Sequence, residues 1–350
     1  MRYRVLGRTG LYVSELSLGA MTFGGGDFWR AIGELDVEAA GPILSRAVDA
    51  GVNLIDTADV YAHGRSEEIV GAAIRALGLP RHDLILATKA HERTGPGPNA
   101  GGSTLRHLMW SVEQSLKRLR VDHIDLFQLH GVDPVTPPEE IVDALAAIVR
   151  SGKVRHVGLC NHPGWRAERL MAIAERRGAP RFAANQIYYS LAGRDAEREV
   201  IAHAETAGLG ILVWSPLAGG LLSGKFDPLS MGDGPADARR TAFDFPPVDR
   251  VRAAAVIAAA RPIAAAHQVS VARLALAWLL TRPAVASVIV GAKRVEQLED
   301  NLGAVELAHA LTTDQRALLD EASQLPEEYP GWMVAYQAAA RTPGGERPNA

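Results

Sequence analysis

The apolar run Val52 to Ile55 ends abruptly in an acid, and the stretch that follows reads Asp56-Thr57-Ala58-Asp59-Val60-Tyr61. A carboxylate at the end of a buried strand is costly unless it meets a cation or has a chemical role. Lys89, at the end of the apolar run Leu84 to Ala87, is the cation that Asp56 requires. A cation near Tyr61 lowers the phenol's pKa, and a phenol so tuned is a general acid for a carbonyl that becomes an alkoxide. His130, after Ile124 to Leu129, is a second donor able to orient that carbonyl. No nucleophile is evident, because Cys160 has no neighbouring base and neither HExxH nor CxxC occurs. Carbonyl reduction then needs an external hydride, hence a nicotinamide. Taken singly, Asp56 reads as a cap, Lys89 as a surface lysine, His130 as a structural histidine and Tyr61 as a half-buried aromatic. Four such groups at three consecutive strand ends argue for a site.

The elements that hold these residues follow a regular rhythm. Residues 2–14 read as a hairpin around Gly7 and Gly10. Strands are expected at 16–19, 52–55, 84–87, 124–129, 154–159, 182–187, 210–214 and 285–290. Helical periodicity lies between them, as with Ala40, Ile43, Leu44, Ala47 and Val48, or Leu105, Leu108, Met109, Val112, Leu116 and Leu119. Helices are also expected over 66–77, 138–150, after Pro163, and near 195–207, 294–302 and 312–323. Eight apolar strands joined by helix-length crossovers imply a parallel sheet, and eight βα units make an α/β fold of the (β/α)8 TIM barrel kind the leading architecture. The alternative, a doubly wound sheet, should carry GxGxxG after its first strand. Residues 19–26 do not match, and Gly95-Pro-Gly97-Pro-Asn-Ala100 reads as a loop.

The chain has 350 residues, 47% hydrophobic and 22% charged, with a net charge of −3. That balance gives a soluble globular protein with no basic block for nucleic acid. One barrel over residues 1–325 and a partly disordered tail over 326–350 account for the length. The lone Cys160 excludes an internal disulfide and fits a reducing compartment. The first residues lack the apolar core of a signal peptide. The apolar stretches 253–266 and 274–290 are broken by Arg261-Pro262 and Arg282-Pro283, so no membrane span and a cytoplasmic location are expected.

The set Asp56-Thr-Ala-Asp-Val-Tyr61, Ala87-Thr-Lys89 and Gln128-Leu-His130 resembles the catalytic tetrad of the aldo-keto reductase superfamily. The similarity runs from Leu6-Gly-Arg-Thr-Gly10 to Gln297-Leu-Glu-Asp-Asn301 and extends to bacterial NADP-dependent reductases and potassium-channel beta subunits. It implies a barrel that binds NADPH without a Rossmann fold, with Tyr61 as proton donor, Lys89 and Asp56 tuning it, and His130 orienting the substrate. It also implies that Trp214 lies against the nicotinamide and that Asn161 and Gln186 bond its carboxamide. Cys160 departs from the usual hydroxyl residue at its position and is a weak donor, and His162 replaces the more usual Phe.

Ser215-Pro216-Leu217-Ala-Gly219-Gly-Leu-Leu-Ser-Gly-Lys225 is a glycine-rich loop. It fits GxxxxGK, but Phe226 replaces the Ser/Thr that holds magnesium. Close backbone approach and one cation suit a pyrophosphate instead. Gly291, Lys293, Arg294, Gln297 and Asn301 surround the start of the helix after the last strand, an anion site where the family places the adenosine 2′-phosphate. Lys293 and Arg294 therefore favour NADP over NAD. Arg240 or its neighbour Arg239 is expected to clamp the cofactor, and the sequence does not choose between them. The tail segment Tyr329-Pro-Gly-Trp-Met333 is apolar enough to pack on the barrel or on a partner subunit. Phe23, Phe28, Trp29 and Trp332 suggest an apolar pocket wall.

The leading expectation is NADPH-dependent reduction of an aldehyde or ketone, acting on a small molecule with a homo-oligomer possible and no metal, nucleic acid or membrane partner. The alternatives are a cofactor-loaded regulatory subunit, or a sugar or secondary-alcohol dehydrogenase working in the oxidative direction.

Overall fold

The structure, a computed structural model, describes residues 1–225, 227–230 and 239–341. Its strands are β1 (Tyr3–Val5), β2 (Tyr12–Ser14), β3 (Leu16–Gly19), β4 (Leu54–Asp56), β5 (Ile85–Ala90), β6 (Ile124–Leu129), β7 (Val154–Cys160), β8 (Phe182–Tyr188), β9 (Gly210–Trp214) and β10 (Val285–Val290). Strands β3 to β10 form a closed parallel barrel, with β10 pairing back onto β3, and β1 and β2 make a separate antiparallel hairpin. Parallel pairing requires a crossover between each pair of strands. The helices that supply it are α1 (Val37–Asp49), α2 (Arg65–Ala76), α3 (Leu105–Leu119), α4 (Pro138–Arg150), α5 (Gly164–Arg176), α6 (Val200–Ala207), α7 (Arg239–Ala242), α8 (Arg250–Ala266) and α9 (Val271–Leu280). After β10 come α10 (Val295–Leu302), α11 (Ala304–Ala310), α12 (Thr313–Ala322) and α13 (Gly331–Arg341).

The eight-stranded barrel with its leading hairpin is the architecture expected from the apolar rhythm. Two differences bear on the site. β4 ends on Asp56 and β5 runs on through Ala90, past the apolar runs that end at Ile55 and Ala87, so Asp56 and Lys89 are strand residues. Helices α7, α8, α9, α11 and α13 occupy segments outside the helices expected from the sequence. Pro262 sits inside α8, whose buried face is built from Ala253, Val256, Ile257, Ala260, Ile263 and Ala264. Among the described residues no helix alone is long and apolar enough to cross a membrane. The pair α8 and α9 passes by composition only together, across a 97° bend.

Side chains alternate across each strand, which gives the barrel two apolar layers. Leu54, Ile85, Ala87, Leu126, Ala184 and Leu212 pack in the interior with Leu6 of the hairpin, and a larger layer joins the outer strand faces to the helices. The hairpin is pinned beneath the barrel by Arg4, which donates to the carbonyls of Leu280, Arg282 and Val285 and pairs with Glu15 at 2.7 Å. The same alternation that sends Ile85 and Ala87 inward sends Lys89 inward at the opposite, C-terminal end. Of the tail, α13 leaves Trp332 and Val334 exposed, and Arg198 holds the segment before it through Glu328 and the Pro326 carbonyl. The rest of the segment expected to be disordered, 342–350, lies outside the described residues.

Candidate active site

Asp56 and Lys89 meet at the upper end of the barrel interior, both buried. Lys89 Nζ donates to Asp56 Oδ2 at 2.5 Å, to the Thr57 carbonyl at 2.8 Å and to the Tyr61 hydroxyl at 3.2 Å. All three ammonium protons thus have acceptors, the condition under which a buried ion pair is tolerated. Burial is the largest influence and works against the charged lysine, but Asp56, joined by Tyr61 and Cys160, outweighs it and holds Lys89 above its usual pKa.

Tyr61 follows β4 in a short 3-10 turn and is buried. The tuning of its phenol differs from expectation. Burial is the largest influence and raises its pKa; Lys89 pulls it down without overcoming burial, and Asp56 adds to the rise. The net shift is upward, so Tyr61 remains an O–H donor at neutral pH. The His130 ring lies 5.7 Å from the Tyr61 ring. Its Nδ1 is buried without a partner, and burial, reinforced by Lys89 and His91, drives its pKa well below the usual value. A neutral imidazole beside the phenol can orient a carbonyl without competing for its proton. The Cys160 thiol is pushed up to about 12 by burial, so it is no thiolate nucleophile.

Three further expected residues, Gln186, Asn161 and Trp214, join this centre through hydrogen bonds. Gln186 donates to Asp56 Oδ1 at 2.9 Å. Asn161 Oδ1 accepts the Trp214 indole N–H at 2.8 Å, and its Nδ2 donates to the His130 carbonyl at 3.3 Å. Ser215 Oγ accepts from Gly219 N at 3.0 Å and shapes the loop that continues through buried Pro216 and half-buried Leu217. Gly219 has φ 67°, and a Cβ there would lie 2.2 Å from the Phe245 carbonyl, so only glycine lets the two loop segments touch. Lys225 is exposed. Farther round, Gln297 Oε1 accepts from Lys293 N at 2.9 Å, Asn301 is buried, and Gly291 and Arg294 are out of the core ahead of α10.

Of the two arginines that the sequence leaves open, Arg240 is buried, donates to the carbonyls of Ala218 and Pro246, and pairs with Asp244 at 2.8 Å. Its Nε is buried without a partner, as is that of Arg239, whose Cζ lies 5.9 Å from the Phe243 ring centroid.

Sequence reading missed two further features. A row of rings leads away from the phenol: Tyr61 to Trp29 at 5.6 Å, Trp29 to Phe28 at 5.6 Å, and Phe28 to Phe243 at 4.9 Å. It continues from Phe243 to Phe245 at 5.3 Å and from Phe245 to Trp214 at 5.9 Å. Phe28 and Trp29 stand in this row, whereas Phe23 is core and Trp332 on α13 packs against Tyr329. Phe243 and Phe245 sit in an aperiodic loop that offers no sequence signal.

The second is Asp59. It is buried, and neither carboxylate oxygen has a hydrogen bond of normal geometry, with only weak help from the Ser111 hydroxyl and the Val60 amide. Burial, reinforced by Glu67 and only partly opposed by Arg118, raises its pKa to about 8. An acid whose folded pKa is raised contributes stability that is full below its ordinary value and lost as pH rises toward the folded one. Asp59→Asn should therefore unfold at a higher temperature than the parent at pH 8, with the gap closing toward pH 4. A pH-independent gap in thermal melts would refute carboxylate burial as its cause.

With this geometry in view, the comparisons with known proteins are direct. The family model described as "Aldo/keto reductase family" matches residues 15–324. The chain belongs to the aldo/keto reductase family. Among its relatives is YrpG of Bacillus subtilis (strain 168), named an uncharacterized oxidoreductase, 37% identical over 100% of this chain and 99% of its own. A probable voltage-gated potassium channel subunit beta of Oryza sativa subsp. japonica is 36% identical over 90% of this chain and 94% of its own. Versiconal hemiacetal acetate reductase of Aspergillus parasiticus is 32% identical over 92% and 96% respectively. This aldo/keto reductase is accordingly an oxidoreductase of the nicotinamide-using kind.

Proposed function

We propose that the protein is an NADPH-dependent reductase of aldehydes or ketones, reversible toward alcohol oxidation. The observation that carries this reading is the buried chain of contacts from Asp56 through Lys89 to the Tyr61 hydroxyl. A carbonyl oxygen placed within reach of Tyr61 and His130 would accept the phenolic proton as negative charge develops on it, and the adjacent ammonium stabilises the phenolate left behind. When bound, a nicotinamide supplies the hydride. The residues present fit such a group. Trp214 is half-buried with its indole N–H fixed on Asn161, and Arg239 holds an orphaned Nε.

Lys293 and Arg294 make no ion pair among the described residues and stand beside the start of α10, which supports a 2′-phosphate and hence NADP. In Lys293→Ala with Arg294→Ala, NADPH affinity should fall at least tenfold while NADH affinity stays within about twofold, since a charge-assisted hydrogen bond contributes roughly 1.5–3 kcal/mol. Equal losses for both cofactors would move the phosphate site elsewhere. The ring wall from Trp29 to Phe245 supports flat, aromatic carbonyls over short aliphatic ones, in keeping with the aryl-alcohol dehydrogenase and hemiacetal reductase names among the relatives. The single, buried thiol supports a reducing, cytoplasmic setting.

The experiment is a carbonyl panel with NADPH and NADH in turn, followed by loss of cofactor absorbance. Turnover should be seen with NADPH and should be best with aromatic aldehydes. Tight NADPH binding without turnover of any carbonyl would favour a regulatory subunit, as the names of the channel-subunit relatives suggest.

A further inference from the structure

Gln128 of β6 and Gln186 of β8 are not on neighbouring strands, since β7 runs between them. Yet Gln186 Nε2 donates to Gln128 Oε1 at 3.2 Å, and both Nε2 groups donate to Asp56 Oδ1, at 3.2 Å from Gln128 and 2.9 Å from Gln186. The contact is possible because the β7 residue in register with Gln128 is Gly158. A Cβ there would lie 3.1 Å from Gln128 Cγ and 3.4 Å from the Ala184 carbonyl. The glycine opens a window in β7 through which the two amides join.

The charge on Asp56 then fixes the polarity of both amides. A carboxylate only accepts, so each glutamine must present its NH2 to it. Gln186 commits its two N–H bonds to Asp56 and Gln128, which leaves its Oε1 turned elsewhere as a pure acceptor. Asn161 is fixed in the complementary sense. The Trp214 indole can only donate and takes Asn161 Oδ1; the His130 carbonyl can only accept and takes one Nδ2 proton, leaving the other N–H as a donor. One committed acceptor and one committed donor match the NH2 and C=O of a primary carboxamide.

We propose that Gln128 is a positioning residue that, through the Gly158 window, works with Asp56 to hold Gln186 as a hydrogen-bond acceptor and so sharpens the selection of a carboxamide over a carbonyl group lacking N–H. The inference rests on the nicotinamide reading above. Its test is binding, measured by calorimetry on the full-length protein with NADP and with its 3-acetylpyridine analogue, whose acetyl group has no N–H. The parent should bind NADP roughly tenfold more tightly than the analogue, the effect of one unmatched buried acceptor. Gln128→Met, of similar volume, removes one of the two acceptors that hold the Gln186 NH2 while Asp56 keeps the other, and should narrow the difference between the two affinities to about threefold. Gly158→Ala should do the same from the opposite strand.

A parent protein that binds both dinucleotides equally overturns the proposal without any variant. Discrimination retained in folded Gln128→Met or Gly158→Ala overturns the role of Gln128 and leaves the nicotinamide reading standing. Failure of the parent to bind NADP at all removes the nicotinamide reading and the proposal together. A merely structural Gln128 would weaken both dinucleotides alike and leave their ratio at its parental value, which also counts against it.

Discussion

Replacing Tyr61 with phenylalanine lowers kcat by about two to four orders of magnitude, the span that a well-placed general acid supplies, and leaves dinucleotide affinity within about twofold. The structure explains both halves of this result. The hydroxyl is the only atom removed, and among the described residues its one hydrogen-bond partner is Lys89; the ring, with its contacts to Trp29 and His130, stays in place. Because the net shift of the phenol is upward, the acid form persists through neutral and mildly alkaline pH, and carbonyl reduction should hold its rate there. Steady-state kinetics with a saturating aromatic aldehyde, paired with calorimetric cofactor binding, measures the effect. Turnover in Tyr61→Phe equal to the parent would remove the proton-donor assignment.

The second large effect concerns the buried pair. Lys89→Met strands the Asp56 carboxylate against two amides with no cation, and Asp56→Asn strands the ammonium. Either change should cost about 3–5 kcal/mol of stability, the usual consequence of leaving one buried charge unpaired, and should abolish most activity. Combining Asp56→Leu with Lys89→Met should recover a large part of the stability and none of the turnover, because two apolar side chains can replace a buried ion pair in packing but cannot tune a phenol. Denaturant unfolding of the single variants Asp56→Leu and Lys89→Met and of the double variant closes this cycle. A double variant as unstable as the sum of the two singles would show that the pair is not energetically coupled. The raised pKa of Lys89 means that its contribution is complete at neutral pH and declines only as pH climbs through that raised value.

Much of the scaffold was legible in the sequence, for a physical reason. Strands of a closed parallel barrel are covered on both faces, so they appear as short, nearly continuous apolar runs such as Ile124–Leu129 and Val285–Val290. Asp56 stood out because an acid cannot end such a run without a partner, and Lys89 was the partner found. Burial depth was not legible. The presence of a cation near Tyr61 could be inferred, but whether the cation or the loss of water dominates depends on how much of the molecule surrounds the phenol. Arg239 and Arg240 are adjacent in the chain, and only the folded loop shows that Arg240 is engaged by two backbone carbonyls and Asp244. Helix α8 was obscured by Pro262, which its packing accommodates. Gln128 is part of the motif around His130, but its role depends on the lack of a side chain at Gly158, a residue on another strand.

The hairpin beneath the barrel has a consequence for how the chain is made. Arg4 is satisfied by carbonyls 276 to 281 residues downstream, and β3, the first barrel strand, finds one of its two neighbours only in β10, the last. During synthesis the amino-terminal strands must therefore wait for nearly the whole polypeptide before their edges are covered. Contacts of such large sequence separation slow folding and leave β3 open to wrong pairings in the meantime. A ribosome-bound chain lacking β10 should accordingly be protease-sensitive at its amino-terminal end, and the release of β10 should be the event that protects it.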